Sequence, residues 1–487
     1  MKHNSIRRTA AAMLTLVLAL TVCSGALGCT TVIVGKDVSA DGSAFFGRTV
    51  DTHGLVGAHI TAVPATEGEG TVIFTDPANG LVAELPAAGC QYFMTNTFES
   101  AGLGIFGESG GNEYNVFMSS TETLIANDTA LSFDPYVPDG VAECNIPTLV
   151  LPYIRTAREG VERLGALVTR YGSAESNGVV FGDDNEVWYI EIYTGHQWAA
   201  VKCPDDRYAV IANDALLGWI DLDDKENVIA CDTILSLPRE KGFLREVDGR
   251  FHLAATYNED LRDYSQIRVW AGMRQFSPSI AGEYDVSRRW DIFAVPDEKI
   301  RIDDVMEYMR YRLEGTEYSC DIPGNNYRPV GIERTATTHL FQIRPGKPTV
   351  SWISLANPEF SVFMPLYENL NSVPACYALD STEYTDESAW WIFREVSSLA
   401  TLDRAAYGAP VRQAYKALEE KWLAGMDAMD KAYADAGYTP EAAAALFEQI
   451  SGEALGTAKR LETELLTQIA TDITKRSDTF GQDKPAE

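Results

Sequence analysis

Position 29 sets the terms on which this chain can fold. Upstream of it, Lys2, Arg7 and Arg8 form a charged n-region, an apolar run extends from about Ala10 to Val22, and Ala26-Leu27-Gly28 supplies a small-x-small triplet. Charge, then apolar core, then small residues is the pattern of a secretory signal peptide with its cleavage site. The leader is therefore expected to span residues 1–28, with Cys29 as the first residue of the mature chain. The run Thr30-Thr31-Val32-Ile33-Val34 follows at once, a β-branched segment suited to a strand. Cut there, the residue at the start of that strand carries both a thiol and a free α-amine. These titrate at roughly 8.5 and roughly 8, and together they make a nucleophile with its own base. The competing reading is packing, since an unreactive cysteine is a small buried hydrophobe.

Two other export routes fit less well. The pair Arg7-Arg8 is followed by Thr9-Ala10-Ala11 rather than by the apolar residues of a twin-arginine signal. Lipidation at Cys29 calls for something like Leu-Ala-Gly before it, where this chain has Ala26-Leu27-Gly28. Lipidation would also acylate the α-amine and so remove the base.

Composition narrows the partners. The formal net charge is −30, and loss of the leader, which contains cations and no acids, makes it more negative. Such a surface repels phosphate backbones, so nucleic-acid binding is not expected. No apolar run besides the leader approaches bilayer-spanning length, so the mature chain is not expected to be membrane-embedded. Cys23 leaves with the leader, and the cysteines other than Cys29 (90, 144, 203, 231, 320 and 376) are even in number and widely spaced. Export would allow them to pair, and a core this large would equally hold them as buried thiols. Neither a C-x-x-C nor an HExxH pattern occurs, so no structural zinc is expected.

From Cys29 to about Thr123 the chain reads as strands and turns. The strand-like runs are Thr30–Gly35, Ala44–Arg48, His59–Val63, Thr71–Phe74, Gly102–Phe106 and Val116–Ser120. Helical spacing runs from Ile146 to Tyr171, closed by Gly172. Strands resume at Gly178–Phe181, and the turn Asp183-Asp184-Asn185 leads into Val187–Tyr193 as a hairpin; Tyr208–Ile211 follows. Ala389–Leu402, Val411–Gly437 and Pro440–Lys475 are helical in composition and period, and Ser477–Glu487 reads as a disordered tail. The expected division is a catalytic domain over 29–385, a helical region over 386–476 and a tail over 477–487.

Candidate chemistry gathers around Cys29. A hairpin turning at Asp41-Gly42-Ser43 would bring Arg48 and Asp51 back beside it. There the Arg would favour a thiolate and the Asp would orient the amine; alone, the two also read as a surface pair at a strand end. Asn213 ends the strand Tyr208–Ala212, where a side-chain amide suits an oxyanion donor and an ordinary turn residue would look the same. Arg268 is a candidate second cation. Gly107-Glu108-Ser109-Gly110-Gly111 fits the nucleophile elbow G-x-S-x-G, but no helix is expected after Ser109, so this segment reads as a glycine-rich turn.

The motif Cys29-Thr30-Thr31-Val32-Ile33-Val34-Gly35-Lys36 with Ala40-Asp41-Gly42-Ser43 resembles the start of the secernin-like dipeptidases, which are N-terminal-nucleophile cysteine hydrolases. The likeness continues through Ser119-Ser120-Thr121-Glu122-Thr123, Leu151-Pro152-Tyr153, Ala157-Arg158-Glu159-Gly160-Val161, Glu186–Glu191, Thr194–Trp198 and Pro204–Val210. Thr338-His339 and Trp352-Ile353 fit more loosely. The resemblance covers roughly Cys29 to Tyr377. It implies an α+β fold of the four-layer αββα type with a helical C-terminal region, and hydrolysis of small peptide substrates, dipeptides, without a cofactor. Penicillin V acylase and bile-salt hydrolase belong to the wider superfamily. Their nucleophile, Arg-x-x-Asp, oxyanion Asn and second Arg fall on Cys29, Arg48 and Asp51, Asn213 and Arg268. The second oxyanion donor comes from an Asn-Glu-x-Gly turn; here Glu99-Ser100-Ala101-Gly102 stands in its place, so Glu99 offers a backbone N–H and no side-chain amide. The mechanism needs no histidine, and His196 is read as structural. The alternatives are an acylase of the bile-salt or penicillin type and a non-catalytic binding protein of the same fold. The oligomeric state is open; a homo-oligomer is compatible with the sequence.

Overall fold

The computed structural model describes residues 28–52, 56–97 and 106–478. The expected leader up to residue 27, the segment 98–105 that holds Glu99 and most of the expected strand Gly102–Phe106, and the expected tail from 479 onward lie outside the described residues.

Two antiparallel sheets face each other. One has six strands in the order Tyr208–Ile211, Thr30–Val34, Ala44–Asp51, Thr335–Ile343, Val350–Leu355 and Met364–Tyr367. The other has eight: Val228–Ala230, Trp198–Lys202, Val187–Ile192, Asn177–Gly182, Phe117–Thr123, Phe106–Asn112, Tyr92–Thr97 and Ala58–Val63. Phe341 of the first sheet packs on its neighbour Phe46 at 5.5 Å and across the interface on Phe117 at 5.0 Å between ring centroids. Successive side chains on a strand point to opposite faces. Arg48, His339 and Ser119 each stand two residues from one of these phenylalanines, so they too project into the space between the sheets.

The central strands are buried on both faces; Val32, Ile33 and Val34 are at most 1% exposed. Helices therefore cover the outside. Ala157–Tyr171 lies on the eight-stranded sheet, with Gly160 against Phe181 and Gly165 against the ring of Trp198. Asp263–Phe276 lies on the six-stranded sheet, where Gly272 meets Val210. This is the four-layer αββα arrangement. Beyond it, Ala389–Thr401, Ala409–Asp435 and Pro440–Asp478 form the helical C-terminal region. Trp390 Nε1 donates to Ala336 O at 2.9 Å, tying these helices to the edge of the Thr335–Ile343 strand.

Several expectations need correction. The helical stretch from Ile146 is not continuous: it runs over Ile146–Val150, tightens into a 3-10 turn at Leu151–Tyr153, and restarts at Ala157. Pro152 has no N–H to continue the helix, and Thr156 caps the new one by accepting from Glu159 N at 3.1 Å. Gly107–Gly111 is not a turn but lies inside the strand Phe106–Asn112. Gly110 lies so close to Phe93 that a Cβ would come within 2.0 Å of its carbonyl oxygen, so the glycines permit close strand approach rather than reversal. The strands Val82–Pro86, Tyr92–Thr97 and Trp198–Lys202 were not anticipated. The last helix continues through Asp478, past the expected start of the tail. Of the two readings left open for the cysteines, the structure has Cys90, Cys203, Cys231, Cys320 and Cys376 as thiols.

Candidate functional site

Register brings the residues together. Thr30 pairs with Thr49 and Thr31 with Arg48 on one flank, while Thr31 pairs with Ile211 on the other. Following the second register two residues back along the first strand places Asn213 opposite Cys29. Arg48 and Asp51 are three apart on one strand, so they occupy opposite faces: Arg48 approaches the thiol from between the sheets, and Asp51 lies on the outer, helix-covered face. Both are fully buried, so the surface-pair reading does not hold.

On the inner face Arg48 Nη1 lies 3.1 Å from Cys29 Sγ and 3.4 Å from Glu143 Oε1. Its Nη2 donates to the Glu108 carboxylate and, at 3.3 Å, to Glu108 O. A guanidinium against sulfur favours the thiolate, while the two glutamates fix its fork and offset its charge. Burial pushes the Glu108 carboxyl up, and the nearby Arg48 charge opposes that shift. Glu175, which accepts from Glu143 N at 2.9 Å, is raised by burial to about 7. His339, with Nε2 2.8 Å from Ser119 Oγ, is held neutral: burial and then the Arg48 charge drive its pKa well below the usual value.

On the outer face Asp51 accepts from Arg328 and Thr335, and from Thr49 Oγ1 at 3.3 Å. A bulge between Thr335 and Thr337 turns the Thr335 hydroxyl onto the carboxylate. Arg268, on the helix Asp263–Phe276, spans the site. Its Nη1 donates to Gly28 O at 2.8 Å, to Cys29 O at 2.5 Å and to Thr30 Oγ1 at 2.8 Å. Its Nη2 donates to Asn213 Oδ1 at 2.6 Å. Because arginine only donates, that contact identifies the amide oxygen and turns the Asn213 Nδ2 group to the other side. Arg262 holds the Asn213 carbonyl and pairs with Asp214 at 2.9 Å.

Cys29, Arg48, Asn213 and Arg268 are thus joined by direct contacts or paired strand positions, Asp51 reaches them through Thr49 and Arg328, and Glu99 lies outside the described residues. Ser109 is buried in a strand and shares a hydrogen bond with Thr95 Oγ1 at 2.7 Å, which is no nucleophile elbow. His196 binds Asp134 through Nδ1 at 2.8 Å. Sequence reasoning missed Glu108, Glu143, Arg262, Arg328 and Thr335. Glu108 had a signal, an acid amid glycines that a strand reading would have aimed inward; Arg328, in the loop Asn325-Asn326-Tyr327-Arg328-Pro329, had none. Among the described residues no group of three or more His, Cys, Asp and Glu side chains is placed to hold a metal. No helix there is long and apolar enough to cross a membrane.

A buried thiol beside a guanidinium, flanked by an oriented amide at the head of a strand, is equipped for nucleophilic attack on a carbonyl. The model of peptidase family C69 matches residues 28–417. The chain belongs to peptidase family C69. Curated relatives extend the match over nearly the whole molecule. "Probable dipeptidase" from Latilactobacillus sakei is 34% identical over 476 residues, covering 94% of this chain and 98% of that one. "Probable dipeptidase B" from Streptococcus pyogenes serotype M3 is 32% identical over 473 residues, covering 92% and 94%. "Probable dipeptidase" from Salmonella dublin is 32% identical over 358 residues, covering 71% and 82%. Among solved structures, penicillin V acylase from Agrobacterium tumefaciens aligns at 12% identity with a TM-score of 0.36, covering 70% of this chain and 87% of that one. A mutant conjugated bile acid hydrolase from Clostridium perfringens aligns at 10% identity with a TM-score of 0.34, covering 74% and 98%. Membership of the C69 family makes this chain a hydrolase of peptide bonds.

Proposed function

We propose that this C69 peptidase is an exported dipeptidase that works from Cys29 once residues 1–28 have been removed. The observation that carries the reading is the contact of Arg48 Nη1 with Cys29 Sγ, 3.1 Å, at the head of a central strand flanked by Asn213. The relatives named dipeptidases match over nearly their full length, which supports dipeptides as the substrate class. In this chain the Cys29 nitrogen is an amide bonded to Gly28; cleavage would turn it into the amine that the chemistry needs.

In the proposed cycle that amine takes the thiol proton, directly or through water, and Sγ attacks the scissile carbonyl carbon. Asn213 Nδ2 and a backbone N–H at Glu99 would hold the oxyanion. Collapse breaks the C–N bond, the leaving amine takes the proton from the Cys29 ammonium, and the first residue stays on sulfur as a thioester. Water, giving a proton to the amine, attacks the thioester carbonyl and releases the acid and the thiol.

Intact-mass analysis of active protein recovered outside the cytoplasm, with a panel of dipeptides and N-acylated amino acids, tests this. The expected result is a chain starting at an unmodified Cys29 that cleaves dipeptides, with turnover lost in Cys29→Ala while the melting temperature is kept. Full activity in a chain still carrying residues 1–28, or in Cys29→Ala, would overturn the scheme; turnover of N-acylated amino acids alone would replace dipeptides with acylated substrates.

A further inference from the structure

We infer that Arg328, together with Arg268, forms the seat for the C-terminal carboxylate of the substrate, and that Gly28 occupies this seat before maturation. The inference rests on the reading above. Gly28 O accepts from Arg328 Nη2 at 2.6 Å and from Arg268 Nη1 at 2.8 Å. Gly28 O is thus held by two guanidiniums, one of which is also paired with Asp51. Loss of Gly28 leaves both donors facing the mature site, and a carboxylate is the acceptor that matches two guanidinium forks. The seat is closely built. A Cβ on Gly28 would come within 2.3 Å of the Tyr264 hydroxyl and 2.6 Å of Arg328 Nη2. Arg328 is itself buried and fixed, with Nη2 on Asp51, Nη1 on the carbonyls of Pro329 and Val330, and Nε 3.4 Å from Tyr264 Oη.

Chemistry and distance agree on what replaces Gly28. The leaving nitrogen of a dipeptide must come within hydrogen-bond reach of the Cys29 nitrogen to receive its proton. The carboxyl carbon of the departing residue lies only about 2.5 Å beyond that nitrogen. Gly28 O lies about 2.2 Å from the Cys29 nitrogen, across their shared carbonyl carbon. A carboxylate not bonded to that nitrogen stays at least about 2.7 Å away, so the departing carboxylate takes over the Arg268 and Arg328 donors that Gly28 O releases from a position a little further out. Arg328 and Tyr264 also line a cavity of about 500 Å3 together with Asp263, Asn325 and Tyr327, which gives the side chain of the departing residue an open, polar place to lie. Release of Gly28 would thus expose the nucleophile and its carboxylate seat in one step, and the enzyme would require a free C-terminus one residue beyond the scissile bond.

The test compares a dipeptide with its C-terminal amide, on mature wild-type enzyme and on Arg328→Gln, by kcat/KM. Wild type is expected to prefer the dipeptide by on the order of tenfold to a hundredfold, the range of a charge-assisted hydrogen bond. In Arg328→Gln that preference should collapse toward unity, whatever happens to the absolute rates. An equal loss on both substrates with the preference kept would assign Arg328 to support of Asp51 alone and overturn the proposal. So would a wild type that does not discriminate, a measurement that needs no folded variant. Arg328→Lys, which keeps the charge, should restore part of the preference. If the enzyme cleaves N-acylated amino acids and no dipeptide, the dipeptide reading falls, and the same comparison of acid with amide in that series decides the Arg328 seat independently.

Discussion

Cys29 meets Arg48 and Asn213 on the two flanks of its own strand, so the site's geometry is set by backbone pairing rather than by long flexible side chains. Asn213 shows what this implies. Its oxygen is held by Arg268 at 2.6 Å and its backbone carbonyl by Arg262, leaving the amide N–H2 in a fixed orientation beside Cys29. If that group donates to the oxyanion, Asn213→Ala should lower kcat by on the order of a hundredfold, roughly 3 kcal/mol, with little change in KM. Asn213→Asp should be at least as damaging, because a carboxylate repels the developing charge. Steady-state kinetics read beside melting temperature decides it: a merely structural Asn would lower the melting temperature and spare kcat per folded molecule.

At the scale of elements, the C-terminal helices are joined to the sandwich by a buried ion pair as well as by apolar contact. Glu419, on the helix Ala409–Asp435, accepts from Arg310 and from Phe363 N at 2.8 Å, and only 5% of the Arg310 side chain is exposed. Burial raises the Glu419 carboxyl and the Arg310 charge counters it. Removing one partner of a buried pair costs about 3–5 kcal/mol when nothing else compensates the other. Arg310 keeps Glu307 at 3.6 Å and the Pro358 carbonyl at 2.8 Å, which places the cost at the lower end of that range. Glu419→Ala should therefore lose stability of that order in urea unfolding, and Glu419→Gln, which keeps an acceptor for Phe363 N, should lose less. A loss below about 1 kcal/mol in the alanine variant would show that this contact adds little to the docking of the helices.

Across the whole molecule, buried carboxyls add to the loss of stability at rising pH that self-repulsion of so acidic a chain already implies. Burial raises Glu175, Glu191 and Glu368 from about 4.5 to about 7. The folded state therefore keeps protons that the unfolded chain has already released between those values. Their contribution is fully present below about 4.5 and is lost as pH rises through about 7, at a cost of up to about 3 kcal/mol for each group. Asp430, lowered despite burial chiefly by its hydrogen bond from Arg344, and Glu333, lowered by a backbone hydrogen bond and then by Arg404 and Arg312, act the other way at the acid end. The melting temperature should fall between pH 5.5 and 8. Glu191 is enclosed by the backbone N–H groups of Leu216 and Leu217 and the hydroxyl of Tyr193. Glu191→Gln removes one titrating proton and should flatten that slope in thermal melts at several pH values; an unchanged slope would remove Glu191 as a source of it.

Local signals in this chain were legible where chemistry and period act over a few residues. The β-branched run after Cys29, the hairpin around Asp183–Asn185 and the three C-terminal helices were all readable from spacing and turn residues, and the motifs running from Cys29 to Tyr377 pointed to the αββα architecture. Cys29, Arg48, Asp51, Asn213 and Arg268 were candidates on residue type and position, yet each alone had an ordinary structural explanation. What the tertiary structure decided was the pairing. Only the two registers show that Arg48 and Asn213 flank Cys29, and only the bulge at Thr335 and the loop carrying Arg328 explain how Asp51 is held. Glu108 was hidden because glycines around an acid read locally as a turn, whereas facing strands this close make the same glycines a strand interior. Those contacts join residues up to 300 positions apart, as from Gly28 to Arg328, and such partners are chosen by sheet packing, which no short stretch of sequence encodes.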